Sequence, residues 1–324
     1  MLSYEELEAG VIKKGECTVC GACISACPLY YIQMIDGIPV RPRKKAACKS
    51  CGVCFSACYL TQSRKEMEGG IGKFIRVITA RVTDETEACQ DGGAVTAVIN
   101  HALETGLIDG ALLTGDESWR PVPLIAKSRS EIISSAKTKY GTSPVLAKLR
   151  SALIEDGLRR IAIVGLPCHI RSAENLKSQK IEPLDTAISL TVGLFCTRNI
   201  EYDRVKEKVH SFGLKMEEVK KFSIHDGFFN IHSADDIHRV PLKETPGWTS
   251  GYCPCVDYTC EPADISVGSG QRSGSSTVIV RTEKGEEIVR QLEKKGILIT
   301  EPVHDLDFLF KESEKKKFFA SKPI

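Results

Sequence analysis

Arg160-Ile-Ala-Ile-Val-Gly165, followed by Leu-Pro-Cys168, and Ile188-Ser-Leu-Thr-Val-Gly-Leu-Phe195, followed by Cys196, read as two short apolar strands. Both run out through a glycine to a cysteine. Short aliphatic runs bounded by turn residues suit strands buried on both faces. Working outward, residues 74–82, 111–114 and 278–282 are further strand candidates. Residues 93–104 have helical spacing and stop at Gly106. Residues 144–155 read as a helix with Ser143 as N-cap and Pro144 at its first position. Residues 286–295 place Ile288 and Leu292 on one helical face. The alternation predicts an α/β layered domain with a mixed sheet. The lysine-rich tail after Lys311 reads as a solvated end.

The chain has 324 residues, a net charge of +2 and fourteen cysteines. Length divided by about 150 suggests two domains. With 42% hydrophobic and 27% charged residues, a packed globule is expected and a disordered chain is not. The sequence has no run of about 18 apolar residues that would suit a spanning helix. Residues 1–14 carry Glu5, Glu6 and Glu8, unlike a secretory leader. The expectation is therefore a cytoplasmic protein. Near-neutral charge gives no reason to expect nucleic acid as partner. In a reducing compartment, cysteines in this number point to metal or cluster ligation rather than disulfides.

Spacing separates those possibilities for the first eight. Cys17, Cys20, Cys23 and Cys27 follow C-x2-C-x2-C-x3-C, with Pro28 next; Cys48, Cys51, Cys54 and Cys58 repeat it, with Tyr59 next. This is the run of two-cluster bacterial ferredoxins, in which the fourth cysteine ligates the other cluster. By that rule Cys17, Cys20, Cys23 and Cys58 hold one 4Fe–4S cluster, and Cys48, Cys51, Cys54 and Cys27 hold the second. Gly21 and Gly52 fall where the backbone must approach sulfur. Structural zinc, the alternative, usually takes two separated pairs of ligands. The expected organisation is a ferredoxin-like domain over residues 1–66 and a larger body over 67–324. Between the repeats, Arg41-Pro-Arg-Lys-Lys45 reads as a solvated loop, or as a docking point for an acidic partner.

The other six cysteines are Cys89, Cys168, Cys196, Cys253, Cys255 and Cys260. Single buried cysteines are common core residues. Yet two strand-end cysteines and the group at 253–260 can meet at one sheet edge, where four thiolates could hold a third cluster. Cys89 reads as an ordinary small side chain. The run Val267-Gly-Ser-Gly-Gln-Arg-Ser-Gly274 fails as a dinucleotide loop, because its spacing is wrong and a strand follows it. Gly92-Gly93, and Lys139-Tyr-Gly-Thr-Ser143 before the 144–155 helix, are better anion sites, since free N–H groups and the helix dipole favour a phosphate. Plain capping is the alternative for each.

Gln90-Asp-Gly-Gly-Ala-Val-Thr-Ala97, Thr105-Gly-Leu-Ile-Asp-Gly110, residues 139–143, Gly165-Leu-Pro-Cys168, Ala263-Asp-Ile-Ser-Val-Gly268 and Val278-Ile-Val-Arg-Thr-Glu-Lys-Gly285 together resemble the β subunits of coenzyme F420-reducing hydrogenases and F420-linked dehydrogenases. The resemblance implies an FAD-binding body, F420 as hydride partner, a 4Fe–4S cluster in the body, and other subunits of a hydrogenase, formate dehydrogenase or similar complex. Carried over by position, Gln90, Asp91, Gly92, Gly93, Thr96, Lys139, Tyr140, Gly141, Thr142 and Ser143 become candidates for FAD. Cys168, Cys196, Cys253 and Cys255 become candidates for the body cluster. The family usually has C-x2-C before the aspartate seen here as Asp257, whereas this chain has C-x-C. Either Cys253 reaches with altered geometry or Cys260 substitutes. F420 is acidic, so Arg272 and Arg281 are candidates for its entry. A hydride step between two cofactors requires no side-chain acid or base, so no catalytic residue is assigned. Two further readings keep the clusters: a flavin protein served by ferredoxin or another carrier, and a relay protein without flavin.

Overall fold

The computed structural model describes residues 3–42, 48–61, 70–84, 89–249 and 253–321. In chain order the strands are β1 (Gln33–Ile35), β2 (Ile38–Val40), β3 (Arg76–Val82), β4 (Gly110–Glu117), β5 (Arg120–Ala126), β6 (Ile161–Gly165), β7 (Ile188–Leu194), β8 (Lys221–His225), β9 (Phe228–His232), β10 (Ile237–Pro241), β11 (Ile265–Ser269), β12 (Ser276–Val280) and β13 (Leu298–Pro302). The helices are α1 (Tyr4–Leu7), α2 (Ala22–Ala26), α3 (Val53–Ala57), α4 (Ala94–Glu104), α5 (Arg129–Ser134), α6 (Leu149–Ile154), α7 (Pro167–Ser178), α8 (Leu184–Ala187), α9 (Tyr202–Ser211), α10 (Glu283–Lys294) and α11 (Asp307–Ala320).

The main sheet has 8 strands in the order β13-β3-β12-β11-β7-β6-β4-β5. Its centre, β11-β7-β6-β4, is parallel, and the outer strands pair antiparallel, so the sheet is mixed. Every residue of β6 is buried. Alternate residues serve opposite faces, as the pleat requires. Ala162 and Val164 join Leu113, Val192 and Val98 against α4 and α10. Ile161 and Ile163 join Leu112, Leu149 and Ile170 against α6 and α7.

The second face also carries the N-terminal segment. Cys20, Ala22, Ala26 and Ala57 belong to the same buried cluster as Leu146, Leu149 and Ile163. The N-terminal helices α2 and α3 therefore share a core with the body. The expected boundary at 66/67 lies outside the described residues.

This packing also explains a difference from the sequence reading. Residues 144–155 do not form one helix capped by Ser143. Pro144 is not helical, a single 3-10 turn covers Val145–Lys148, and α6 begins at Leu149. The N–H of Leu146 donates to the carbonyl of Cys20 at 3.0 Å, and Ser25 Oγ donates to the Leu146 carbonyl. The N-terminal segment thus claims the groups an early helical turn would need. Gly21 answers to the same contact: its φ is +86°, and a Cβ there would stand 2.5 Å from the Ala147 nitrogen. Packing on the body thus also requires that glycine.

The tail differs too. Residues 307–320 form a packed helix, not a solvated end. Leu309, Ser313, Lys316 and Ala320 are its buried face. A separate 3-stranded antiparallel sheet, β10-β9-β8, packs with α9 around Phe222, Phe229 and Val209.

Candidate cofactor and electron-transfer site

Two cavities in the N-terminal segment are lined by cysteines. One is bordered by Cys27, Cys48, Cys51 and Cys54, the other by Cys17, Cys20, Cys23 and Cys58. These are the two cross-repeat sets expected from the spacing. α2 and α3 each start from a left-handed glycine, Gly21 and Gly52, and each is followed by the fourth cysteine of its run. A short helix thus carries Cys27 and Cys58 away from their own runs toward the opposite cavity. Burial pushes Cys17 up to about 11 and Cys54 and Cys58 up to about 12, with neighbouring sulfurs adding to it. Such thiols give up their protons to a cation that replaces them. Cys51 is exposed, so the cavity it borders lies at the surface. Arg41 is nearly buried, pairs with Glu5 at 2.6 Å and lies over the Tyr4 ring. It is thus held in place rather than free to dock. Residues 43–45 lie outside the described residues.

The body cysteines meet where the parallel strands end. β6 and β7 reach Gly165 and Gly193 as a register pair, so Cys168 and Cys196 leave the sheet at the same edge. The segment before β11 closes over them, with the N–H of Cys196 donating to the Tyr258 carbonyl at 2.9 Å. Cys168 and Cys255 pack together with Tyr59, and Cys253 lies against them. Lys316 of α11 places its Nζ 3.9 Å from Cys196 Sγ and 3.8 Å from Cys253 Sγ, and donates to the Thr197 carbonyl at 2.9 Å. Burial alone would lower the Lys316 amine, but Cys196, Cys253, Cys255 and Cys168 hold it above its ordinary range. Two of these sulfurs, those of Cys196 and Cys253, thus lie within 4 Å of one buried ammonium.

Cys260 stands apart. It is fully buried and packs against Gly193, where an added Cβ would come within 2.4 Å of its sulfur, and against Ala263. Asp257 organises this segment from a fully buried position. Its carboxylate accepts from Arg171 Nη2 at 2.8 Å, Arg171 Nε at 3.0 Å and the N–H of Glu261 at 3.1 Å. Among the described residues, no group of three or more His, Cys, Asp or Glu closes to the spacing of a single metal ion. The outer thiolates of a cubane stand farther apart than ligands sharing one ion.

The body group and the inner cavity touch. Cys20 Sγ donates to Ser172 Oγ of α7 at 3.5 Å, and the same oxygen accepts from the Tyr59 N–H at 3.4 Å. Cys20 is the first of the sulfurs that raise Cys168 beyond the effect of burial. Tyr59, next to Cys58 in the chain, is buried in one cluster with Cys255 and Cys168.

The flavin candidates fall on two segments that the structure joins. Gln90 Oε1 accepts from the Thr138 N–H at 3.0 Å, and Gln90 Nε2 donates to the Phe222 carbonyl at 2.9 Å. Gln90 is thus a spacer between residues 138–143 and the small sheet. Asp91 faces Lys221 at 3.8 Å and His225 at 4.0 Å. Cys89 donates to the Asp91 carbonyl at 3.1 Å and so braces this loop. Gly92 uses its N–H on Ser276 Oγ at 3.2 Å, so that group is not free for a phosphate. Gly93 is the N-cap of α4 in a left-handed conformation, with φ of +72°. Among the described residues no side chain caps this helix, whose first turn includes Thr96, so its leading N–H groups suit an anion.

On the second segment, Lys139 is buried, with its Nζ donating to the Ser135 and Ala136 carbonyls and lying 3.7 Å from Asp116. Burial lowers its amine to about 8. Tyr140 meets Phe229 edge-on at 5.1 Å, and Gly141 lies against Pro121. Thr142 is half-buried, and the buried Ser143 Oγ has no partner among the described residues. The Ser143 carbonyl accepts from His169 Nε2 at 3.0 Å, while His169 Nδ1 accepts from the Leu166 N–H. Burial keeps that imidazole neutral, down to about 4. Arg272 is exposed in the loop whose Ser275 abuts Gly92, and pairs with Glu301 at 3.4 Å. Arg281 is no entry residue. Its guanidinium donates to the carbonyls of Ile71, Lys73 and Thr259 and to Ser266 Oγ, so it is fixed inside the fold.

Comparison with known proteins shows the family. Residues 77–150 and 158–306 match the N-terminal and C-terminal models of the coenzyme F420 hydrogenase/dehydrogenase beta subunit. The chain is 36% identical over 268 residues to the coenzyme F420 hydrogenase subunit beta of Methanothermobacter thermautotrophicus, covering 78% of this chain and 95% of that protein. The chain belongs to the family of coenzyme F420 hydrogenase/dehydrogenase beta subunits. Another relative, a subunit of the F(420)H(2) dehydrogenase of Methanosarcina mazei, is 29% identical, with 95% of this chain and 91% of that protein covered. A chain of the F420-reducing [NiFe] hydrogenase complex from Methanosarcina barkeri superposes with a TM-score of 0.74 at 32% identity, covering 78% of this chain and 91% of that one. The mixed α/β fold is therefore the fold of this family, and its members here are subunits of F420-linked redox complexes. Among the described residues, no helix is long and apolar enough to cross a membrane. Both the cysteine cavities and α11 lie outside the residues that the two family models match.

Proposed function

We propose that this chain exchanges a hydride between coenzyme F420 and FAD, and passes single electrons through 4Fe–4S clusters to or from a partner oxidoreductase. The observation that carries the proposal is continuity. The body cysteines abut the inner cavity through Cys20 and Tyr59, and the outer cavity opens at the surface at Cys51. FAD supplies the change from a two-electron hydride to single electrons, which clusters accept one at a time.

The residues present fit these groups. An uncapped helix start at Gly93 suits the flavin's phosphates, and the orphaned Ser143 Oγ is a buried hydroxyl available to a ligand. Asp91, Lys221 and His225 border the same loop. Cys168, Cys196, Cys253 and Cys255 would hold the body cluster, with Cys260 a packing residue. The Cys17 set would then be the inner relay and the Cys27 set the outer one, at which a partner protein docks. Arg272 would meet the acidic tail of F420 at the loop beside Gly92.

The test is anaerobic purification of the full chain, release of the flavin, and titration with reduced F420, NADH and reduced ferredoxin. Stoichiometric FAD that bleaches with reduced F420 and not with NADH is expected. Absence of flavin, or bleaching by NADH but not by F420, would overturn the reading. Gly93→Val should lose FAD while retaining the N-terminal clusters, because the left-handed position and Val82, 2.9 Å from an added Cβ, both oppose a branched side chain.

A further inference from the structure

Lysines on a terminal helix are ordinarily solvated, and burying an ammonium is costly unless it is paired. Lys316 is 2% exposed. Its neighbours in the helix, Lys315 and Lys317, pair at the surface with Glu312 and Glu314. Lys316 instead points inward to Cys196 and Cys253. α11 is strapped down to deliver it: Leu309 and Ala320 are buried, Ser313 Oγ donates to the Gly70 carbonyl at 2.9 Å, and Arg198 lies 4.0 Å over the Phe319 ring. The Thr197 carbonyl fixes the ammonium's third direction.

We propose that Lys316 sets the reduction potential of the body cluster by holding a fixed positive charge against the sulfurs of Cys196 and Cys253. This rests on the reading that those cysteines hold a cluster. Cluster potentials respond to net charge and to hydrogen bonds at sulfur. Each one-electron reduction adds one negative charge to a site removed from water, and an adjacent ammonium stabilises that charge more than the oxidised state. The electron is exchanged between the flavin and the inner cluster through this site, and no atom of Lys316 is transferred. The effect raises the potential of this cluster. It does so from a helix outside the residues that the two family models match.

The experiment is an EPR-monitored redox titration of the full holoprotein, with iron and sulfide counts, for wild type, Lys316→Gln, Lys316→Arg and Cys168→Ser. The signal missing from Cys168→Ser identifies the body cluster. Lys316→Gln should shift its reduction equilibrium at least tenfold toward the oxidised state, about 59 mV downward for a one-electron couple. The N-terminal clusters should not move, and Lys316→Arg should recover most of the shift. An unmoved body-cluster potential in Lys316→Gln, with full iron content, overturns the proposal while leaving the cluster reading intact. So does an equal shift in Lys316→Arg. If Lys316→Gln assembles no body cluster, Lys316→Arg must assemble one near the native potential, and a large shift there refutes the role of charge. Wild-type iron for two clusters only overturns the cluster reading itself, and this proposal with it.

Discussion

The N-terminal cysteine cavities and the body cysteine group solve the same problem by different means. In the N-terminal segment, residues a few positions apart converge, and only the fourth cysteine of each run travels, carried by a short helix. In the body, Cys168, Cys196 and Cys253–Cys255 come from three separated segments, brought together by the register of β6 with β7 and by the closure of the segment before β11. The N-terminal sites are written in local spacing. The body site is written in topology, and a buried ammonium, Lys316, and a buried carboxylate, Asp257, lie beside it. The body site should therefore be the more sensitive to remote substitutions.

The largest expected effects test the pairing of the local sites. Cys58→Ser combined with Cys20→Ser should lose one cluster's iron, no more than either alone. Cys58→Ser combined with Cys48→Ser should lose two. The opposite pattern would mean that each run holds its own cluster.

The next effect tests the body site from outside its cysteines. Asp257→Asn removes a fully buried carboxylate charge and leaves the partly buried Arg171 only Glu261, 3.7 Å away, so it should cost at most about 3–5 kcal/mol, the measure of a broken fully buried pair. Iron analysis should show the body cluster lost first and the N-terminal pair retained. Equal loss of all clusters would erase the distinction between the regions.

A smaller effect concerns the flavin segment. Lys139 titrates near 8 when folded but near its ordinary 10.5 when unfolded. Between those values the unfolded chain holds a proton that the folded one has lost. Stability of the flavin-free protein should therefore rise with pH across that window, by roughly 3 kcal/mol at most. Denaturant midpoints of Lys139→Met should lack this rise, and an equal rise in the variant would assign it to another group. The smallest effect is at Arg272. Its pair with Glu301 is exposed, so Arg272→Gln should change stability by less than about 1 kcal/mol. Its reading as an F420 contact predicts a several-fold higher KM for F420 with kcat nearly unchanged.

How much was legible follows the same divide. The short strands at 161–165 and 188–194 and the helix at 94–104 follow from local pattern, and the structure has them within a residue or two; the cysteines of each expected cross-repeat set line one cavity. Residues 144–155 misled because the N-terminal segment intercepts Leu146 and Ser143 binds His169, neither of which is a local signal. Arg281 looked like a ligand residue, but charge in a sequence does not say which carbonyls it will meet. Lys316 was hidden among lysines. The signal for it was present, since Leu309, Ser313, Lys316 and Ala320 recur at helical spacing and mark one face. What that spacing did not show was that the face meets cysteines more than fifty residues away along the chain.

The central claim is that electrons leave the flavin through the body cysteines before reaching the N-terminal ones. Anaerobic reduction by F420 of wild type and Cys168→Ser, followed by EPR, tests it most directly. Wild type should show the N-terminal clusters reduced. Cys168→Ser should bleach its flavin yet keep both N-terminal clusters oxidised. Equal and equally fast reduction of those clusters in the variant would contradict the account.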